Sequence, residues 1–240
     1  MSDEAGKRYV VAGNKPWNRA LFREVLCTYP GEWHFAATRE ELTPEAIAAI
    51  GPRYLFFLHW SDRVPLEIIE RYECVCFHMT DVPYGRGGSP LQNLIVGGLR
   101  ETKLTALRMT QEFDAGPVYM KAPLSLEGGA EEIYLRAGRL SAEMIERIIR
   151  LEPKPAPQKG KVVNFKRRKP EQSELGSPES APASLEEFHD FIRMLDAEGY
   201  PRAFLNHAGF RFEFSRPALY DGRIVADVTI TRATGKEKAK

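Results

Sequence analysis

The sequence predicts an α/β chain: a doubly wound, mainly parallel sheet followed by a small C-terminal α+β module of mostly antiparallel β. Three observations carry the prediction. Across the first 150 residues, short apolar runs alternate with segments of helical spacing, the pattern of successive βα units. The run "YLFFL" at 54–58 is apolar throughout, as strands covered on both faces are. After Leu151 the chain turns polar and proline-rich, and short alternating segments return only near its end. A length of 240 residues gives room for one sizeable domain and a small second one. The expected boundaries are 1–151 for the first domain, 152–183 for an extended linker and 184–240 for the module.

Each element follows from local chemistry. "RYVVAG" reads as the first strand, closed by Gly13, and "NKPWNRALFREVL" as a helix with Pro16 suited to its first turn. "HFAAT" is the second strand. "REELTPEAIAAIG" reads as one helix stopped by Gly51, and "YLFFL" as the third strand. "VPLEIIERY" supplies a helix and "CVCF" the fourth strand. The loop that follows, "PYGRGG", is stiff: its glycines lack the Cβ that keeps backbone away from a ligand, and Pro83 fixes the exit angle. Ser89 and Pro90 then suit the start of a helix, "PLQNLIVGGL". "TKLTALRMT" alternates like a strand, "DAG" turns, "PVYMKAPL" extends, and "AEEIYLRAGRLSAEMIERIIRL" is a long amphipathic helix. "EPKPAPQKGK" reads as an exposed connection. The stretch after it is polar and irregular, and its basic residues Lys166, Arg167, Arg168 and Lys169 are either a binding patch or a solvated run. Ser184 and Glu187 form a capping box for a helix that Gly199 ends. "RAFLNH", "FRFEF" and "RIVADVTI" then suggest a small antiparallel sheet or partial barrel, and "ATGKEKAK" a frayed tail.

Composition narrows the function. The 34 basic and 33 acidic residues nearly cancel, which gives no reason to expect broad binding to nucleic acid or membranes. The first residues hold no apolar signal region and no apolar run approaches the ~20 residues of a membrane span, so a cytoplasmic chain is expected. Cys27, Cys74 and Cys76 lack metal-ligand spacing and read as buried thiols; no metal is expected. No GxGxxG follows the first strand and no GxSxG occurs, so the dinucleotide fingerprint and the hydrolase elbow are both missing.

In a parallel sheet the residues just past the strands converge at the carboxyl edge, where ligands bind. Here they are Asn14 and Lys15, His59, His78 and Asp114. The helix from Pro90 is expected to carry the chain back, so that the next strand ends at the same edge and Asp114 faces His78. A histidine beside a carboxylate is general acid/base equipment. The other reading is a core histidine bonded to backbone and an Asp that caps its own turn. Asn14 and Lys15 are candidates for a phosphate or a sugar, and His59 either lines the site or caps a loop.

"FHMTDVPYGRGGSPLQNLIVGG" followed by "TKLTALRMTQEFDAGPVYMK" resembles the core of the formyltransferases that use 10-formyltetrahydrofolate, a family with a Rossmann-like sheet. His78, Thr80, Pro83, Gly87, Pro90, Asp114 and Gly116 fall on the family's pattern. "KRRKPEQS" and "DFIRMLDAEGYPRAFL" are similar to the C-terminal regions of methionyl-tRNA formyltransferase and the sugar N-formyltransferases. The resemblance implies an enzyme that moves a formyl group from 10-formyltetrahydrofolate to a primary amine. It implies that His78 handles the amine proton or the oxyanion, with Asp114 as its partner through a water. It places folate along Pro83, Arg86, Gly87, Gly88 and Ser89 and the loop at 124–129; the candidates for the acceptor are Thr80 and, from the sheet edge, Asn14, Lys15 and His59.

One position departs from the pattern. Cys76 stands where the family has an Asn whose amide helps hold the formyl oxygen, and a thiol is a poor substitute for that donor. A non-catalytic folate-binding or ligand-binding member of the fold and a formyl hydrolase are therefore the alternatives. The resemblance to methionyl-tRNA formyltransferase is to a longer protein with a larger basic C-terminal domain. A near-neutral chain with a small module is expected to take a small amine, a nucleotide-linked amino sugar, and no nucleic acid. Lys15, Arg86 and the cluster at 166–169 are available for its diphosphate. The C-terminal module is expected either to form a homodimer or to close over the substrate.

Overall fold

The computed structural model describes residues 6–176 and 181–233, which divide into two compact units. The "ATGKEKAK" tail lies outside the described residues except for Ala233. The first unit comprises the chain up to Pro90, Glu101–Ser125 and Tyr134–Phe165. Its strands in chain order are β1 (Arg8–Ala12), β2 (Glu32–Ala36), β3 (Tyr54–Phe57), β4 (Cys74–His78), β5 (Tyr84–Gly87), β6 (Glu101–Arg108), β7 (Val118–Ser125) and β8 (Val163–Phe165). Among them lie α1 (Pro16–Glu24), α2 (Pro44–Ile50) and α3 (Leu66–Arg71); α4 (Pro90–Val96) leads out of this unit, and α5 (Ala130–Leu151) runs back into it.

The α/β expectation holds. A six-stranded sheet runs in the order β2-β1-β3-β4-β6-β7. The first four strands pair in parallel, with Phe57 opposite Cys76. Residues two apart on a strand share a face. Val10, Ala12, Leu55, Phe57 and Cys74 therefore pack together on one side with Ile47 of α2 and Ile68 of α3. Tyr9, Tyr54 and Phe56 point to the other side, where their rings meet one another and Trp33. Each such fully buried side chain contributes about 1.5–3 kcal/mol, so the sheet that supports the site is the stable part of this unit.

Two readings are corrected here. The stretch from Arg39 to Gly51 is not one helix: a 3-10 turn at Arg39–Glu41 stops, and α2 starts afresh at Pro44. A residue before proline is pushed out of the helical region, and Thr43 is extended, its hydroxyl accepting from the Ala46 N–H at 3.1 Å. More consequentially, β6 runs antiparallel to β4, with His78 opposite Thr105 and Val75 opposite Arg108. The connection holds α4 but does not carry the chain back across the sheet, and β6 starts at the edge where β4 ends. β6 therefore ends beside the start of β4, and the loop after it brings Asp114 to His78.

The segment after α5 is exposed but held. Ala156 exchanges both backbone hydrogen bonds with Val118, and β8 pairs in parallel with β5. "VVNF", read as irregular, thus completes a two-stranded sheet with the glycine-rich loop.

The second unit comprises Leu91–Arg100, Leu126–Ile133 and the chain from Lys166. It contains α6 (Leu185–Arg193) and a three-stranded antiparallel sheet of β9 (Ala203–His207), β10 (Phe210–Tyr220) and β11 (Arg223–Arg232). Ser184 caps α6 by accepting from the Glu187 N–H, as the capping pattern requires. The helix ends at Arg193, before Gly199, and the Arg193 guanidinium turns inward. It donates from Nη1 to the Leu126 and Gly128 carbonyls and pairs through Nε with Asp190, three contacts for a charge that is almost fully buried.

Candidate functional site

β4 ends on His78, and strand alternation puts Cys76 on the same face. The His78 ring is buried and doubly held. Its Nε2 lies 2.7 Å from the carbonyl oxygen of Gly85, which can only accept, so Nε2 carries the proton. The Thr80 hydroxyl donates to the same oxygen at 3.2 Å, and the Thr105 hydroxyl donates to the Thr80 carbonyl at 2.7 Å. The other ring nitrogen, Nδ1, stands 3.5 Å from Asp114 Oδ1, longer than a direct hydrogen bond. Asp114 Oδ2 accepts from the Gly87 N–H at 2.9 Å, so one carboxylate ties the loop after β4 to the loop after β6.

The residue types at 114–116 are those the geometry demands. Asp114 has a left-handed φ of 54°. Gly116 comes so close to β6 that a Cβ would lie 1.8 Å from the Arg108 carbonyl oxygen. A second clamp fixes the same turn. The Gln158 side-chain amide donates to the Asp114 and Gly116 carbonyls, each at 2.8 Å. Its Oε1 accepts from Arg86 Nε at 3.1 Å and Nη2 at 2.9 Å, while Arg86 Nη1 meets Glu112 at 3.5 Å. Sequence reasoning missed Gln158 because it lies in a stretch whose composition signals only an exposed connection.

A cavity of about 150 Å³ opens beside Cys76 and Asp114. Val64, Leu66, Ile69, Leu107 and Met109 give it apolar walls, and Asp62, Arg63 and residues 110–113 line it as well. Burial, the Asp114 carboxylate and Cys74 together push the Cys76 thiol far above its ordinary range, so it stays protonated and uncharged.

Asn14, Lys15 and His59 form a different group, at the carboxyl ends of β1 and β3. A cavity of about 520 Å³ there is lined by Gly13, Asn14, Lys15, Arg19, Arg23 and Glu24. His59 adopts φ 49°. The Lys15 N–H donates to Asn18 Oδ1, which turns the Asn18 amide nitrogen toward His59 Nδ1 at 3.2 Å, and Trp17 Nε1 lies 3.4 Å from the same atom. The imidazole is thus an acceptor at Nδ1 with its proton on Nε2. Desolvation, with Lys15 adding, lowers its pKa to about 4, so it is neutral near pH 7.

Several expected contacts are revised. Thr80 is fully buried and supports the Gly85 carbonyl, which leaves it no surface for a substrate. Pro83, Arg86, Gly87, Gly88 and Ser89 do not line the cavity beside Cys76. The Gly87 N–H is bonded to Asp114, the Gly88 N–H to the Phe165 carbonyl, and Arg86 to Gln158. Leu124 is buried within β7. In the basic cluster, Arg168 donates to the Gln172 carbonyl. Among the described residues no group of three or more His, Cys, Asp or Glu is placed to hold a metal ion, and no helix is long and apolar enough to cross a membrane.

Comparison with known proteins gives a consistent picture. Residues 170–231 match a model of the C-terminal domain of methionyl-tRNA formyltransferase. A methionyl-tRNA formyltransferase of Rickettsia massiliae (strain Mtu5) is 34% identical over 90 residues, which cover 36% of this chain and 30% of that protein. The chain spans about a third of the length of the curated relatives it matches. A solved structure, methionyl-tRNA formyltransferase from Clostridium thermocellum, is 42% identical and superposes with a TM-score of 0.88 over 95% of this chain and 100% of that one. A sugar N-formyltransferase from Shewanella sp FDAARGOS_354 shares the fold at 12% identity, with a TM-score of 0.63 over 92% of this chain and 96% of its own.

Proposed function

We propose, given that this chain belongs to the formyltransferase family, that it moves a formyl group from 10-formyltetrahydrofolate to a primary amine. The observation that carries the proposal is the His78–Asp114 pair beside an apolar cavity. The cavity fits the folate head: Val64, Leu66, Ile69, Leu107 and Met109 line it together with Cys76 and Asp114. At about 150 Å³ it is smaller than the roughly 300–1,000 Å³ of a whole drug-sized ligand site, so it takes a flat ring system and leaves the tail outside. The bound folate supplies the activated formyl group; the chain's residues position it and move the proton.

With Nε2 tied to Gly85, Nδ1 is the only atom of His78 that can take up a proton. At 3.5 Å Nδ1 and the Asp114 carboxylate are close enough to act on the same acceptor N–H. As the amine attacks the formyl carbon, Nδ1 would accept its proton with the Asp114 carboxylate stabilising the imidazolium, and that proton would pass to the folate nitrogen as its bond to the formyl carbon breaks and tetrahydrofolate leaves. The negative charge that grows on the formyl oxygen is less well served. Cys76 offers an uncharged thiol where an amide would donate, and one missing donor of this kind costs about 10²–10³ in rate.

We take the acceptor to be a nucleotide-linked amino sugar, with its phosphates at Lys15, Arg19 and Arg23. Charge supports a small acceptor: residues 166–240 carry 13 basic and 12 acidic side chains, a near balance that supplies no broad basic surface for a nucleic-acid backbone. A second reading, the amine of methionyl-tRNA, is favoured by the name of the 42% identical relative. Offering both acceptors with 10-formyltetrahydrofolate and measuring formylated product decides between them. Product from charged tRNA alone would refute the sugar reading, and product from neither would refute transfer to these amines.

A further inference from the structure

We propose that Gln158 is a positioning residue for the reaction, holding Asp114 in register with His78. The proposal rests on the formyl-transfer reading for its kinetic consequence, but its structural content stands apart from that reading. Asp114 is in a left-handed conformation, which a non-glycine residue keeps only when its surroundings impose it. Two constraints act on it. Through its side chain, Oδ2 is bonded to the Gly87 N–H. Through its backbone, the carbonyl accepts one hydrogen of the Gln158 amide while the other goes to the Gly116 carbonyl. Both ends of the 114–116 turn are thus held by one planar group.

Gln158 is in turn oriented from two directions. Arg86, on β5, presents two donors to its oxygen, which fixes which end of the amide faces the turn. The chain around it is pinned by the Val118–Ala156 exchange on one side and the β5–β8 pairing on the other. The segment between α5 and β8 therefore acts as a strap across the loop after β4 and the loop after β6. An Asp114 that drifts loses its place opposite Nδ1, and a misplacement of the order of 1 Å costs about 10² in rate.

The test uses Gln158→Ala and Gln158→Met in the full chain, with amide hydrogen exchange and kinetics read on both. The Gly87 N–H, which reports the Asp114 carboxylate, is expected to exchange about tenfold faster in either variant, from the loss of two hydrogen bonds to neutral carbonyls. The Gly88 N–H, bonded to Phe165, keeps its rate and serves as the control for folding. The kcat should fall by about 10–100-fold with KM for the folate donor little changed. On an Asp114→Ala background Gln158→Ala should cost almost nothing further, since it acts through Asp114. Unchanged exchange at Gly87, or an equal loss of kcat in both backgrounds, would overturn the proposal. If the wild type transfers no formyl group, the functional reading fails, and the exchange at Gly87 still decides whether Gln158 holds the turn.

Discussion

Replacing Gly116 by Ala tests whether the Asp114 turn is as tightly built as the geometry requires. A Cβ at position 116 would sit 1.8 Å from the Arg108 carbonyl oxygen, and ordinary contact begins at 3.4 Å, so the turn or the strand must yield by about 1.6 Å. The near atom is backbone of β6, paired on both sides, so it cannot swing away like a side chain. Overpacking of this kind costs about 1–3 kcal/mol. For a chain of this size that lowers Tm by roughly 2–12 °C. The turn is the freer partner and takes most of the movement, which carries Asp114 away from His78 and lowers kcat about 100-fold. Thermal unfolding and single-turnover formyl transfer measure the two effects. Wild-type Tm together with wild-type kcat in Gly116→Ala would refute both the close approach and the role assigned to the turn.

Three further outcomes follow from the site. Cys76→Asn restores an amide donor beside the reacting carbonyl and should raise kcat at least about tenfold; a rate that falls would mean that the formyl oxygen does not lie next to position 76. Folding lowers His59 to about 4 while the unfolded imidazole titrates near 6.5, so as pH falls through that window the unfolded state takes up a proton that the folded state does not. Stability should therefore drop between about pH 6.5 and 4, and less so in His59→Asn, whose side chain tolerates a positive φ; denaturant unfolding at both ends of the window should show curves that diverge between the two proteins, and parallel curves would contradict the neutral, desolvated ring. Reversing charge with Arg19→Glu and Arg23→Glu should raise KM for a phosphorylated acceptor about tenfold or more and leave donor affinity alone; an equal effect on both would move the acceptor elsewhere.

The sequence and the structure agree where apolar patterning is strong. The strands up to β4 were legible because "YVVA", "YLFF" and "CVCF" must be covered, and the alternation of βα units follows from that. β5 and β8 were not, since strands of 4 and 3 residues, one of them half glycine, carry no periodicity. The direction of β6 was not legible, since the alternating pattern "KLTALR" reads the same either way. The pairing of His78 with Asp114 was anticipated from the sheet edge and the family resemblance, yet the chain achieves it by a tight loop held at Gly116. Gln158 was invisible for a different reason. A glutamine among prolines and lysines has no signal of its own, and its role exists only once Ala156 is paired with Val118. Arg86 was read as a ligand contact because an arginine in a glycine-rich loop invites it, and three of its donors are instead directed at Gln158 and Glu112.

The central claim is a folate-dependent transfer site at the end of β4, and calorimetric titration with 5-formyltetrahydrofolate, a stable form of the donor, tests it most directly. The account predicts saturable binding at one site in the wild type. It predicts the same affinity to within a few-fold in Gln158→Ala, which disturbs the acid/base pair, and a loss of roughly tenfold or more in Met109→Asp, which puts a charge into the apolar wall of the cavity. A folded wild type that binds no folate, or a Met109→Asp variant that binds it as well as the wild type, would contradict the account.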